Sequence, residues 1–148
     1  MGNRGRAAGV GPVVSDWNQQ VIEEFRANGG RVGGDFEGFP LLLVHSTGAR
    51  SGEERVNPVA YQLLGEGRWA VFASKGGAPD NPDWFYNLRA HPDATIEIGA
   101  ETLPVRARVL TGEERSVVWE EQKRRYPGFA DYELKTDREI PVIELTRR

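Results

Sequence analysis

The sequence predicts an α+β fold with a small β-barrel at its core, and three observations lead to it. Several short runs are apolar at alternate positions or on both faces, which is strand patterning. The joints between them are short and turn-like, as at Gly65-Glu66-Gly67, which suits antiparallel neighbours rather than the long crossovers of a parallel sheet. Only three stretches have helical spacing, and they do not alternate regularly with the strands as a doubly wound sheet requires. Five or six mostly antiparallel strands with three helices suit a small barrel or rolled sheet.

In chain order, the first dozen residues are rich in Gly and Arg and read as flexible. From Val14 the apolar residues Trp17, Val21, Ile22 and Phe25 mark one face of a helix that Gly29-Gly30 stops. Moderate charge and a single Trp favour packing of that face on the domain over contact with a membrane surface or a partner. Gly33 to Pro40 is turn material. Leu41 to Val44 is apolar on both faces and reads as a central strand, followed by strands over Val56–Leu64 and Trp69–Ala73. Asn81 is the expected N-cap of a helix with Pro82 at its first position, which His91-Pro92 ends.

Ala94, Ile96 and Ile98, then Leu103, Val105, Ala107 and Val109, alternate with polar residues and predict two half-exposed strands. Thr111 to Glu114 has capping-box spacing and opens a helix carrying Val117, Val118 and Trp119 to about Arg125. Tyr126 to Tyr132 reads as an aromatic loop, and Ile140 to Leu145 as the last strand.

Composition narrows the chemistry. The 148 residues suit one domain, 1–148, able to bury about 68 to 70% of its unfolded surface. There is no cysteine, which excludes disulfides, thiolate metal sites and cysteine nucleophiles. His45 and His91 are too few to make a metal cage alone. A net charge of -3 argues against a general nucleic-acid binder, so any basic site must be local. No run approaches 18 apolar residues and no signal peptide is legible, so a cytoplasmic protein is expected.

Catalytic signatures built from side chains alone are missing. No serine has a legible His and Asp set, and there is no Gly-x-Ser-x-Gly elbow, Gly-x-Gly-x-x-Gly loop or Walker loop. The pairs Glu53-Glu54 and Glu113-Glu114 read as solvated turns and helix starts. What remains is an anion-binding pattern. Thr47 to Gly52 offers glycine-freed backbone N–H groups, a hydroxyl and the Arg50 guanidinium; Arg55 follows, and Ser74-Lys75-Gly76-Gly77 repeats the mixture. Such turns could hold one phosphate-bearing ligand, or each could be a solvated hairpin turn with surface cations.

Four ordered motifs separate these readings. A Thr-Gly-x-Arg/Lys-Ser/Thr-Gly turn occurs as Thr47 to Gly52, an Arg-Val-Asn-Pro strand as Arg55 to Pro58, an Ala-Ser-Lys-Gly-Gly turn as Ala73 to Gly77, and Asn-Pro-x-Trp with a later Asn as Asn81, Pro82, Trp84 and Asn87. Tyr126-Pro127, Asp131-Tyr132, Thr136-Asp137-Arg138 and Ile140-Pro141 continue the pattern. From Phe39 to the C-terminus the chain resembles the deazaflavin (coenzyme F420)-dependent nitroreductase family, which are split β-barrel oxidoreductases.

The resemblance implies a split barrel in which the deazaflavin lies across the sheet and its phosphate and acidic tail leave through a basic groove. Arg50, Arg55 and Lys75 match the cationic positions. Ser51, Val56, Asn57, Pro58, Val59, Ala60, Ala73, Ser74, Gly76, Gly77, Trp84 and Asn87 match positions around the cofactor. Ser74, Tyr126, Phe129 and Tyr132 match the substrate side, with Ser74, Tyr126 and Tyr132 as the catalytic candidates. Phe129 and Lys135 depart from relatives with Tyr and Trp there, which bears on the substrate. The implied reaction is hydride transfer from reduced F420 to a quinone, nitroaromatic or activated enone, with the protein supplying orientation and water exclusion. A non-catalytic F420 carrier and an FMN-binding split barrel are the alternatives, and a quinone acceptor would make a membrane-peripheral location relevant.

Overall fold

The computed structural model describes residues 16–33 and 40–148. The expectations for residues 1–15, for the Trp17 side chain and for the turn over 34–39 lie outside the described residues. In chain order the elements are α1 (Asp16–Ala27), β1 (Leu41–Thr47), β2 (Glu54–Gly65), β3 (Arg68–Phe72), a short 3-10 turn (Lys75–Gly77), α2 (Asp83–Ala90), β4 (Asp93–Ile98), β5 (Glu101–Val109), α3 (Gly112–Arg125), α4 (Gly128–Lys135) and β6 (Val142–Arg147). The six strands close into a barrel in the order β1-β2-β3-β6-β5-β4, and every pairing is antiparallel. Closure leaves no exposed sheet edge.

Strand alternation builds the interior. Leu42 and Val44, Val59, Trp69 and Val71, Ile96, Leu103 and Val105, and Ile143 and Leu145 give each strand's inward face to one buried cluster, which Trp84, Phe85 and Leu88 of α2 join. The outward faces explain why β1 is apolar on both sides. Leu41 and Leu43 pack beneath Val21, Ile22 and Phe25 of α1. Phe72 and Val142 instead meet Val118 and Trp119 of α3 and Phe129 of α4.

The end of α1 is held closely. The Gly30 N–H donates to Phe25 O at 2.8 Å, and both Gly29 and Gly30 have positive φ, the left-handed helix stop that glycine favours. A Cβ on Gly30 would lie 2.8 Å from Gly99 Cα, so glycine is needed for the approach to the β4–β5 turn. Arg26 Nη2 donates to Glu97 Oε2 on β4 at 2.7 Å.

Four expectations are corrected. The stretch after Tyr126 is not a loop, because α4 begins at Gly128. Pro127 is tolerated at a helix start, and Phe129 and Tyr132 share a face three residues apart. The described residues therefore hold four α-helices rather than three. Pro82, not Asn81, occupies the N-cap of α2, and the Asn81 amide is engaged by Arg138 instead. Thr111 does stand at the N-cap of α3 but forms no side-chain cap, and Glu114 pairs with Arg108 at 3.0 Å rather than closing a capping box. The last strand starts two residues later than expected, at Val142, with Ile140 buried against Trp119.

Candidate functional site

A cleft of about 630 Å³ lies where β2, the end of β3, the start of α2 and α4 meet. That size and its mixed lining are those of a small-molecule site. Asn57, Pro58, Val59 and Ala60 of β2 form one wall. Phe72, Ser74, Lys75 and Gly76 bring the end of β3 and its turn, and Pro82, Asp83 and Trp84 bring the start of α2. Phe129 and Tyr132 of α4 and Asn18 of α1 complete it.

The aromatic side is rigid. Phe129 is buried, with its ring 5.7 Å from Phe72, 6.2 Å from Trp119 and 5.2 Å from Tyr132, each in an edge-on arrangement. Trp119 Nε1 donates to Glu133 Oε2 at 2.7 Å, which ties α3 to α4 behind that cluster. The opposite turn is unusual in backbone. Lys75, Gly76 and Gly77 all have positive φ, at 48°, 64° and 84°, and Lys75 is a side-chain-bearing residue in the left-handed region. A Cβ on Gly77 would lie 2.9 Å from Lys135 Cβ and 3.0 Å from Tyr132 O, so the turn sits directly against α4.

The structure thus gathers ten of the expected residues around one cleft: Asn57, Pro58, Val59, Ala60, Ser74, Lys75, Gly76, Trp84, Phe129 and Tyr132. The others lie elsewhere. Arg50 and Ser51 are exposed on the turn between β1 and β2, where Ser51 Oγ accepts the Glu53 N–H at 3.1 Å. Arg55 is mostly covered, and its Nη1 is buried with no hydrogen-bond partner; Glu53 Oε1 is 3.6 Å away. Val56 packs toward α1, Ala73 is fully buried, and Gly77 is enclosed by α4.

Asn87 does not line the cleft. It is buried, its Oδ1 accepting the Ala49 N–H at 2.9 Å while its Nδ2 donates to Ser46 Oγ at 3.1 Å, so it holds the Arg50 turn from below. Tyr126 caps the end of α3 outside the lining, its N–H donating to Gln122 O. It also lies close enough to Tyr61 to help raise that phenol's pKa, although burial is the larger cause. Phe72, Pro82, Asp83 and Asn18 line the cleft unforeseen. Asp83 follows Pro82 directly, so the Asn-Pro-x-Trp motif contained a signal for it; Asn18 had none, because its place depends on how α1 docks.

Two further groups shape the surroundings. Arg138, between α4 and β6, spans the ends of the Ser74–Gly77 turn by donating to backbone carbonyls, and burial lowers its pKa from the usual value. His45 Nε2 lies 2.6 Å from Glu97 Oε2 and Nδ1 lies 3.2 Å from Glu54 Oε2. The Arg26 hydrogen bond, assisted by His45 and opposed by burial, holds the Glu97 carboxyl below its ordinary pKa.

The lining fits a flat ring system with an anionic extension. Aromatic Phe72, Trp84, Phe129 and Tyr132 and aliphatic Val59 and Ala60 line the cleft, Lys75 stands at it, and Arg55 lies on the same strand as Asn57 and Pro58. No helix among the described residues is long and apolar enough to cross a membrane.

Comparison with known proteins agrees with this chemistry. Residues 17–147 match the family model described as F420H(2)-dependent quinone reductase. A protein of Mycobacterium tuberculosis named F420H(2)-dependent quinone reductase is 35% identical over 131 residues, covering 84% of this chain and 85% of the relative. A solved F420-H2 dependent reductase (FDR-A) is 41% identical with a TM-score of 0.64, covering 72% of this chain and 93% of that one. A structure described as a domain-swapped dimer is 37% identical with a TM-score of 0.66, covering 88% and 97%. The chain belongs to the F420H(2)-dependent quinone reductase family and is an oxidoreductase dependent on reduced F420.

Proposed function

We propose that this protein reduces a quinone-type acceptor by two electrons, with the F420 ring held in the cleft between β2, the Ser74–Gly77 turn and α4. The observation that carries the reading is the convergence on one cleft of the Asn57–Ala60 wall, the Ser74–Gly76 turn and the Phe129–Tyr132 face. When bound, reduced F420 supplies the hydride. Asn57 to Ala60 and Gly76 offer close backbone approach and a flat wall, while Phe72, Trp84 and Phe129 exclude water from the ring face.

Lys75 at the cleft and Arg55, on the strand that carries Asn57 and Pro58, hold the anionic extension. Arg50, exposed on the neighbouring turn, adds attraction at longer range. Ser74 Oγ and the Tyr132 hydroxyl are the hydroxyl groups of the lining that would hydrogen-bond an acceptor oxygen and supply the balancing proton. Tyr126, which packs against the cluster holding Phe72 and Phe129, is a further candidate for that role. A cytoplasmic location, with a lipid-soluble quinone met at the membrane surface, completes the proposal. Membership of a reductase family favours neither a storage protein nor an FMN enzyme.

The test is to mix purified protein with reduced F420 and a panel of quinones, nitroaromatics and enones while following cofactor reoxidation. Rapid turnover with quinones is expected, together with F420 binding tighter than FMN in fluorescence titrations. Cofactor binding without turnover on any acceptor would turn the reading toward storage.

A further inference from the structure

We infer that Arg138 is a positioning residue, which sets the Ser74–Gly77 turn and the start of α2 in the geometry that makes the cleft. The inference rests on the cleft being the cofactor and acceptor site, but the contacts on which it is built do not. Arg138 lies outside the cleft lining. Its guanidinium donates from Nη1 to Ala73 O at 3.1 Å, from Nη2 to Ser74 O at 2.9 Å and from Nε to Ala78 O at 3.0 Å. Nη1 also donates to Asn81 Oδ1 at 2.6 Å. One planar fork thus grips the turn on both sides and reaches the residue before Pro82.

The turn needs such a grip. Within it are two backbone hydrogen bonds, Gly77 N–H to Ser74 O at 2.9 Å and Ala78 N–H to Lys75 O at 3.1 Å, across three successive residues at positive φ. A left-handed conformation is unfavourable for a residue with a Cβ, as Lys75 has, and such conformations persist only where the surroundings over-determine them. Here α4 closes one side, through the contact of Gly77 with Tyr132 and Lys135, and Arg138 ties the carbonyls at both ends. Ser74 O accepts from both Gly77 and Arg138. The acceptors are neutral carbonyls and an amide, so the side chain works through the directions of its four hydrogen bonds rather than by ion pairing.

The same fork couples two walls. Asn81, fixed through its Oδ1, donates from Nδ2 to the Tyr86 hydroxyl at 3.3 Å, and Pro82, Asp83 and Trp84 follow it into the cleft. Releasing the fork would let Ser74 and Lys75 move relative to Trp84 while leaving the barrel strands paired.

Arg138→Ala and Arg138→Lys test this in the full chain. In the cofactor-free protein, hydrogen exchange at the Gly77 and Ala78 amides should rise at least about tenfold in Arg138→Ala, with strand amides such as Val71 and Ile143 unchanged. kcat/KM for a quinone should fall by about tenfold or more, since small displacements of positioned groups have effects on that scale. Guanidinium ion, at concentrations far below those that unfold proteins, should recover part of the loss in Arg138→Ala. Arg138→Lys should remain impaired, because an ammonium cannot span the acceptors.

Unchanged exchange at Gly77 and Ala78, or a rise spread evenly over the strands with a lowered Tm, would overturn the positioning role. If wild-type protein fails to bind F420, the reading of the cleft fails while the exchange measurement still decides the role of Arg138.

Discussion

Replacing Arg55 by Met should separate stability from cofactor binding. Arg55 Nη1 is buried without a hydrogen-bond partner, and its nearest carboxylate oxygen, on the exposed Glu53 side chain, is 3.6 Å away. A buried donor left unmade costs about 1 to 3 kcal/mol, whereas a pairing with an exposed partner returns about 0 to 1 kcal/mol. Met keeps most of the apolar stem and removes the donor. The cofactor-free variant should therefore be as stable as wild type or more so, by up to about 1 kcal/mol, or roughly 2 to 4 °C in Tm for a chain of this size. Its affinity for F420 should move the other way. Loss of a charge-assisted hydrogen bond of about 1.5 to 3 kcal/mol corresponds to about ten- to a hundredfold weaker binding. Arg50→Met removes a charge from an exposed position and should weaken binding much less, mainly at low salt. Thermal unfolding without cofactor and fluorescence titration at two salt concentrations measure both quantities. A drop in Tm beyond about 4 °C with affinity intact would show that Arg55 is a structural residue, and the reasoning from its orphaned donor would be refuted.

Other perturbations probe the acceptor wall and the docking of α1. Ser74→Ala and Phe129→Tyr change one hydroxyl each at the cleft and should leave F420 affinity within about threefold. Their kcat/KM ratios for quinone against nitroaromatic acceptors should shift, and an unaltered preference in both would move acceptor selection elsewhere. Glu97 has a folded-state pKa below its unfolded value of about 4.3, so its stabilisation is complete above that value and is lost as pH falls through the folded one. Urea midpoints between about pH 3 and 6 should fall on acidification less steeply in Glu97→Gln than in wild type; parallel curves would contradict the assignment. Phe25 of α1, only 1% exposed, should cost about 3 to 5 kcal/mol on replacement by Ala, and a measured loss under about 1 kcal/mol would mean that the helix contributes little to the core.

The barrel was legible because its strands obey a period of two and its turns carry glycine. Ala94 pairs with Val105 and Ile96 with Leu103 across β4 and β5, while Ala107 and Val109 pair with Leu145 and Ile143 of β6. The helix at Gly128 was hidden by Pro127 and Gly128, which read locally as a loop, although both are compatible with a helix start. Capping failed as a guide at Asn81 and Thr111 for a different reason. Arginines outside the two helices, Arg138 for Asn81 and Arg108 on β5 for Glu114, engage the groups that a local rule assigns to the cap.

The same distinction divides the expected site residues that line the cleft from those that lie outside it. Ser74, Lys75, Gly76 and Asn57 to Ala60 lie on contiguous segments, so a motif along the chain finds them and their arrival at one cleft follows from the strand order. Asn87 belongs to the same motif series but acts at one remove, holding the Ala49 N–H across 38 residues of sequence. Arg138 holds Ala73, Ser74 and Ala78 in the same way across 60 to 65 residues. Each glycine-containing cationic turn is thus tied to a distant polar side chain that hydrogen-bonds to its backbone. That arrangement suits loops whose own hydrogen bonds are too few to select one conformation. It also sets where tolerance should end: substitutions that keep the turn but remove Asn87 or Arg138 should impair the site with every lining residue intact, which motif inspection alone would score as unchanged.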